Sequence, residues 1–80
     1  MKVTLKMPRL SMNMEEGTVV AWRKQEGDSF TQGEALYDIE TEKVTSEFEA
    51  PCDGVLLKII AREEDAVEVG GDVCVIDKTS

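Results

Sequence analysis

Val3, Leu5 and Met7 alternate with Lys2, Thr4 and Lys6 at the start of the chain, the period-two pattern of a strand with one face on a core and one in water. Residues 18–23 and 55–60 are apolar-rich runs, each opened by a glycine (Gly17 and Gly54), and both predict strands. Gly27-Asp28, Gly33-Glu34, Glu64-Asp65 and Gly70-Gly71 mark turns around them. Later in the chain Val44, Ser46, Phe48 and Ala50 alternate with Thr45, Glu47 and Glu49, a further strand with one face in and one out. No apolar stripe of period 3.6 persists beyond two turns, so no helix is expected and the fold class is all-β.

The pattern repeats. Displaced by 37 positions, the chain matches itself at Gly17 and Gly54, Val19 and Leu56, Trp22 and Ile59, and Asp28 and Asp65. Phe30 then meets Val67, Gly33 meets Gly70, Leu36 meets Val73, and Ile39 meets Ile76. These are turn formers and large apolar residues, the positions that dictate a backbone path. Two similar halves of about four short strands each are therefore expected to pack face to face, since neither covers its own apolar face alone. Leu36 and Ile39 lie three apart, as do Val73 and Ile76, which breaks period two in the same place twice and predicts a bulge or strong twist. Gly17 and Gly54 read as backbone-shape positions, and Glu63-Glu64-Asp65 as a solvated turn.

Composition narrows the functional classes. Eighty residues make one small domain, 1–80, which buries only about 60% of its unfolded surface. With 17 acidic against 9 basic residues the net charge is −8, which argues against nucleic acid or an anionic membrane face as partner. No run approaches a membrane span, and the amino terminus lacks the hydrophobic region of a signal peptide. Cys52 and Cys74 are too few for a disulfide scaffold and are expected to be reduced and structural, as in an intracellular compartment. No histidine is present to act as a base, no serine or cysteine has an evident activating partner, and no metal-ligand pattern occurs, so no catalytic site and no metal site are expected.

One residue stands apart. Lys43 falls at the seam between the halves, in Glu40-Thr41-Glu42-Lys43-Val44, with strand patterns on both sides. Glu42-Lys43 is expected to be a two-residue hairpin connection that holds the lysine in solvent. Such connections favour Asn-Gly or glycine-rich pairs, so Glu-Lys implies selection by something other than backbone ease. A lysine at a hairpin tip can be plain solvated surface or a covalent attachment point; the residues alone leave both open.

The sequence around it resembles a known family. Glu40-Thr41-Glu42-Lys43-Val44 at the midpoint of a two-fold repeat resembles the lipoyl domains of 2-oxo acid dehydrogenase complexes. So do the run from Met7-Pro8-Arg9-Leu10 through Glu15-Glu16-Gly17-Thr18-Val19 and the stretch Trp22-Arg23-Lys24-Gln25-Glu26-Gly27-Asp28 followed by Gly33. The resemblance covers essentially the whole chain. It implies a flattened β-barrel or sandwich of two four-stranded antiparallel sheets, with Lys43 bearing lipoic acid through an amide. It further implies that this arm accepts an acyl group from a thiamine-diphosphate-dependent decarboxylase and passes it to coenzyme A at an acyltransferase core. Reoxidation falls to dihydrolipoamide dehydrogenase, and attachment to a lipoate ligase or lipoyl transferase. Glu42 and Val44 flank the target and would serve ligase recognition or be ordinary turn and strand residues.

The loop of Leu10, Ser11, Met12, Asn13, Met14, Glu15 and Glu16 is expected beside the hairpin as the surface that discriminates the decarboxylase. Its Met12 and Met14 read either as exposed adaptable contacts or as packing beneath the loop. It looks more like pyruvate, branched-chain or acetoin complexes than 2-oxoglutarate ones. The chain ends about where such a domain ends, so it is expected to be the amino-terminal part of a longer acyltransferase, with a free-standing carrier as the alternative. The domain itself is expected to be monomeric, and cytoplasmic rather than in a mitochondrial matrix. A biotin carrier shares the fold, but that family sets methionines on both sides of its lysine, where this chain has Glu42 and Val44. A glycine-cleavage carrier would be longer and partly helical. The alternative of another class is an unmodified β-barrel adaptor with an acidic surface.

Overall fold

The period-two runs become strands. The computed structural model describes residues 1–42 and 44–79. Among these, β1 (Lys2–Lys6), β2 (Glu16–Trp22), β3 (Ser29–Phe30) and β4 (Ala35–Glu40) form the first half. The second half holds β5 (Thr45–Glu49), β6 (Gly54–Ile59), β7 (Asp65–Glu68) and β8 (Asp72–Lys78). No helix occurs among the described residues. The strands pair antiparallel in two four-stranded sheets, ordered β1-β8-β6-β3 and β5-β4-β2-β7. The sheets stay separate, so the architecture is an open sandwich and not a closed barrel. Each sheet mixes strands of both halves, so neither half folds around a core of its own.

Alternation places the core as expected along β1, where Leu5 and the following Met7 are buried while Lys2, Thr4 and Lys6 face water. Val19, Leu36, Tyr37, Leu56, Val73, Cys74 and Ile76 are wholly buried between the sheets. The broken period has the anticipated cause. Tyr37 pairs with Phe48 and Ala35 with Glu49, leaving Leu36 as an extra residue against β5. Leu5 pairs with Cys74 and Lys6 with Asp72, leaving Val73 extra against β1. A bulge turns two consecutive side chains to the same face, which is how Leu36-Tyr37 and Val73-Cys74 are all buried. A second pair of bulges, unforeseen from the sequence, lies at Val20 in β2 and Leu57 in β6.

The repeat extends to individual hydrogen bonds. Gly27 N–H donates to Leu56 O at 2.7 Å, and its counterpart Glu64 N–H donates to Val19 O at 2.6 Å. Arg23 N–H reaches Leu36 O at 2.8 Å as Ile60 N–H reaches Val73 O at 2.9 Å. The turn aspartates match as well: Asp28 and Asp65 each accept a backbone N–H, from Gln25 and Arg62, at 2.9 Å. Positive φ recurs at Gly27 (95°) and Glu64 (74°), and at Gly33 (92°) and Gly70 (88°). Gly17 and Gly54 have no such φ. What calls for glycine at these two backbone-shape positions is close approach, since an added Cβ would meet Ile39 and Met14 at Gly17 and the Asp77 carbonyl at Gly54.

The symmetry fails in one place. Gly33 N–H donates to Ala50 O and Gly70 N–H to Met7 O, both at 2.9 Å, so Met7-Pro8 corresponds to Ala50-Pro51. Ten steps of chain then separate Met7 from Gly17, but only four separate Ala50 from Gly54. The first half carries six additional residues between its first and second strands.

Tyr37 is wholly buried, 4.7 Å from the Trp22 ring and stacked on Phe48 at 4.8 Å. Its hydroxyl is buried and has no hydrogen-bond partner among the described residues, and burial raises the phenol's pKa above its ordinary value. A buried hydroxyl without a partner costs the free energy of its lost hydration. Tyr37→Phe is therefore expected to stabilise the domain by about 1 kcal/mol, read as a higher urea midpoint at unchanged slope. A lower midpoint would mean that the hydroxyl is satisfied in solution. Cys52 and Cys74 are both free and buried, and burial pushes the Cys74 thiol up to about 12.

Candidate functional site

The β4–β5 ladder runs from Ala35 opposite Glu49 to Glu40 opposite Thr45. One more bond, from Thr41 N–H to Val44 O at 2.8 Å, carries the pairing to the edge of the connection. Only Glu42 and Lys43 lie between those two residues in the chain, as expected for a two-residue hairpin. Lys43 lies outside the described residues, while both of its neighbours are described and exposed. Val44 is 51% exposed, although alternation set it on the inward face with Ser46, Phe48 and Ala50. Strand β5 begins only at Thr45, so the pleat that half-buries Ser46 and Phe48 does not reach it.

The other five lysines are placed differently. Lys2, Lys6, Lys58 and Lys78 lie within strands, and Lys24 lies in the longer β2–β3 connection. Lys24 is ion-paired to Glu34 at 2.9 Å, and Lys6 to Asp72 at 3.0 Å. None of these five stands in a short link between consecutive paired strands.

The six additional residues of the first half lie against this hairpin. Residues 10–16 and Thr41, Glu42 and Val44 line one groove of about 540 Å³. The loop is held from within. The Arg9 guanidinium donates to Met12 O at 3.2 Å and Met14 O at 3.1 Å, and Leu10 N–H donates to the Met14 sulfur at 3.1 Å. Met14 is buried (5% exposed) and anchors the loop, whereas Met12 is 89% exposed. The two readings of these methionines are thus divided between them. Leu10, Met12 and Val44 give the groove exposed apolar surface, and Glu15, Glu16 and Glu42 give it acidic surface. The structure brings together the loop and the hairpin flanks that the sequence singled out. Arg9 and Thr41 carried no assigned role; a threonine just before a tight turn is a recognised side-chain cap of the backbone and was the available signal.

Comparisons with known proteins agree with this geometry. The biotin/lipoyl family, described as "Biotin-requiring enzyme", matches residues 3–76. Over 73 residues the chain is 42% identical to the dihydrolipoyllysine-residue acetyltransferase component of the acetoin cleaving system of Pseudomonas putida, covering 91% of this chain and 20% of that protein. It is 46% identical over 71 residues to the mitochondrial pyruvate dehydrogenase acetyltransferase component of Caenorhabditis elegans, covering 88% of this chain and 14% of that protein. The solution structure of the lipoyl domain of the 2-oxoglutarate dehydrogenase complex of Azotobacter vinelandii superposes with a TM-score of 0.80 at 32% identity, over 98% of this chain and 99% of that one. The chain spans about a fifth or less of the curated relatives it matches. Acetoin, pyruvate and 2-oxoglutarate systems all occur among these similar proteins, so overall similarity does not select the complex that the loop's resemblance favoured.

Proposed function

The chain belongs to the biotin/lipoyl family and within it to the lipoyl domains, and from that premise we propose that it is a carrier domain whose Lys43 holds lipoic acid as an amide. The observation that carries this reading is the asymmetry of a nearly symmetric fold. The repeat that maps Thr41 onto Lys78 also maps Val44 onto Met1, and Lys78 N–H donates to Met1 O at 2.7 Å as Thr41 N–H donates to Val44 O at 2.8 Å. Only the Thr41–Val44 end has a lysine within a two-residue link, and only that end has the six-residue insertion beside it.

The residues present fit a covalently held arm. The paired strands fix the start of the link, the groove leaves room beside it, and Leu10, Met12 and Val44 offer apolar surface there. When bound, lipoic acid supplies a cyclic disulfide that takes up and releases acyl groups and electron pairs, chemistry the protein's own side chains lack. The domain's part is placement: a stiff hairpin sets where the arm begins, and tethering raises its local concentration at each partner without tight binding. In this reading the 80 residues are one domain of a longer acyltransferase chain in the cytoplasm, monomeric in itself. It would be served by a lipoate ligase or lipoyl transferase and visited in turn by a thiamine-diphosphate-dependent decarboxylase, the acyltransferase core and dihydrolipoamide dehydrogenase. Glu42 and Val44 flank the target for the ligase, and residues 10–16 form the surface met by the decarboxylase.

Incubation with lipoate, ATP and a lipoate ligase is expected to add one lipoyl mass, and Lys43→Ala is expected to abolish that gain while keeping the melting temperature. No gain in the unsubstituted chain overturns the assignment, and a gain that persists in Lys43→Ala moves it to another lysine. Biotin with a biotin ligase is expected to give no product, because Glu42 and Val44 stand where a biotin carrier has methionines.

A further inference from the structure

A four-residue turn is ordinarily closed by a hydrogen bond from the N–H of its fourth residue to the carbonyl of its first. At residues 41–44 that N–H is used otherwise. Val44 N–H donates to the Thr41 hydroxyl oxygen at 3.3 Å, and the same hydroxyl donates to Val44 O at 3.2 Å. Together with Thr41 N–H to Val44 O at 2.8 Å, both backbone polar groups of Val44 bond to one residue. The side chain of Thr41 thus takes the place of the missing turn bond.

Two further features make this more than a local detail. Glu42-Lys43 lacks the Asn and Gly types that close a two-residue connection by backbone conformation alone, so this turn needs closure from elsewhere. The fold also contains a built-in comparison. At the other end of the repeat, the matching Lys78 N–H to Met1 O step is made without a hydroxyl, since lysine stands where Thr41 does. The clamp is present at the one end where a lysine must be offered to another enzyme.

We propose that Thr41 is a positioning residue for the modification of Lys43: its hydroxyl bridges the two backbone groups of Val44, closes the link and so sets the start of the lysine for the ligase. The inference rests on the function proposed for Lys43. Thr41 touches neither lipoate nor ligase chemistry; it acts by raising the fraction of molecules whose hairpin is in the form the ligase accepts. When only a fraction of a substrate is binding-competent, its apparent affinity falls by that fraction. Loss of the clamp therefore raises KM and leaves kcat in place.

The test uses Thr41→Val, which keeps the shape and removes the hydroxyl, and Thr41→Ser, which keeps the hydroxyl. Thr41→Val is expected to raise the ligase's KM for the domain roughly five- to tenfold, the size of one lost hydrogen bond, with kcat unchanged. Thr41→Ser is expected to restore the unsubstituted value. Amide exchange in the apo domain supplies the second readout: Val44 N–H is expected to exchange several-fold faster in Thr41→Val and to be protected again in Thr41→Ser, with the melting temperature lowered by no more than about 8 °C. Faster Val44 exchange with an unaltered KM overturns the positioning role while leaving Lys43 as the attachment point. Unaltered exchange shows that the hydroxyl closes nothing and overturns the clamp itself. An unsubstituted chain that gains no lipoyl mass overturns the reading of Lys43 and the role of Thr41 with it, whatever the exchange data show.

Discussion

Gly54→Ala is expected to cost about 3 kcal/mol or more, and Gly17→Ala, at the matching place in the other half, about 1–2 kcal/mol. Neither glycine has the left-handed conformation that would explain it, so the difference lies in what a methyl group would meet. At Gly54 the added carbon would run into the Asp77 carbonyl oxygen, with the Phe30 ring at 3.1 Å on its other side. Asp77 belongs to β8, which pairs with both β1 and β6, and a backbone carbonyl held in that ladder has no room to retreat. At Gly17 the neighbours are side-chain atoms and not backbone: the branch methyl Ile39 Cγ2 at 2.8 Å, Met14 Cε at 2.9 Å and the Met7 sulfur at 3.2 Å. The two methionines have three rotatable side-chain bonds and adapt at modest cost, while the β-branched Ile39 must shift slightly, which is still easier than moving a ladder carbonyl. A domain of this size has a total stability of about 4–12 kcal/mol, so Gly54→Ala removes a large share of it. Urea midpoints of the two variants, compared at constant slope, decide the matter; equal losses would show that close approach is not the reason for glycine at either site.

The adjacent leucines of β6 should differ almost as much. Leu56→Ala is expected to cost about 3 kcal/mol, and Leu57→Ala less than about 0.5 kcal/mol. Leu56 is wholly buried opposite Ile76, while Leu57 is 39% exposed. The Leu56 backbone also joins the halves, accepting Gly27 N–H at 2.7 Å and donating to Asp28 O at 2.9 Å, so the cavity left by truncation lies under strands that cannot easily collapse into it. Leu57 is the extra residue of the bulge between Leu56 opposite Ile76 and Lys58 opposite Val75. Thermal or urea melts of both variants provide the check. A comparable loss for Leu57→Ala would mean that its side chain lies inside the sandwich in solution.

Much of the fold is legible in the amino-acid sequence. The alternation in residues 2–7 and the turn pairs at Gly27-Asp28 and Glu64-Asp65 describe short-range geometry, which depends on neighbouring residues alone, and the displacement of 37 shows the same local pattern written twice. They led to eight strands in two halves, and the bulges at Leu36 and Val73 followed from the same spacing. The second pair of bulges, at Val20 and Leu57, was less visible because both sit in continuous apolar runs where period two and its interruption look alike. Val44 is the opposite case: alternation assigns it to the inward face, but β5 begins at Thr45 and the sheet no longer covers it.

At the site the division is sharper. The position of Lys43 between two strand patterns, its neighbours Glu42 and Val44, and the interest of residues 10–16 were all present in the linear chain. What the chain alone could not say is that the first half's six additional residues come to share a groove with the hairpin flanks, because that groove joins segments about thirty positions apart. Nor could it divide Met12 from Met14, since one thioether is held by Leu10 N–H beneath the loop and the other faces water.

Sequence by itself determined the all-β class, the repeat, the turns and the place of one lysine at the seam, because alternation and turn chemistry act between residues a few positions apart. Tertiary structure decided which glycine abuts a carbonyl, which leucine is core, where the Tyr37 hydroxyl is stranded and how Thr41 closes the link. Those outcomes depend on how two twisted sheets stack and where the chain meets itself, and no local rule contains that distance.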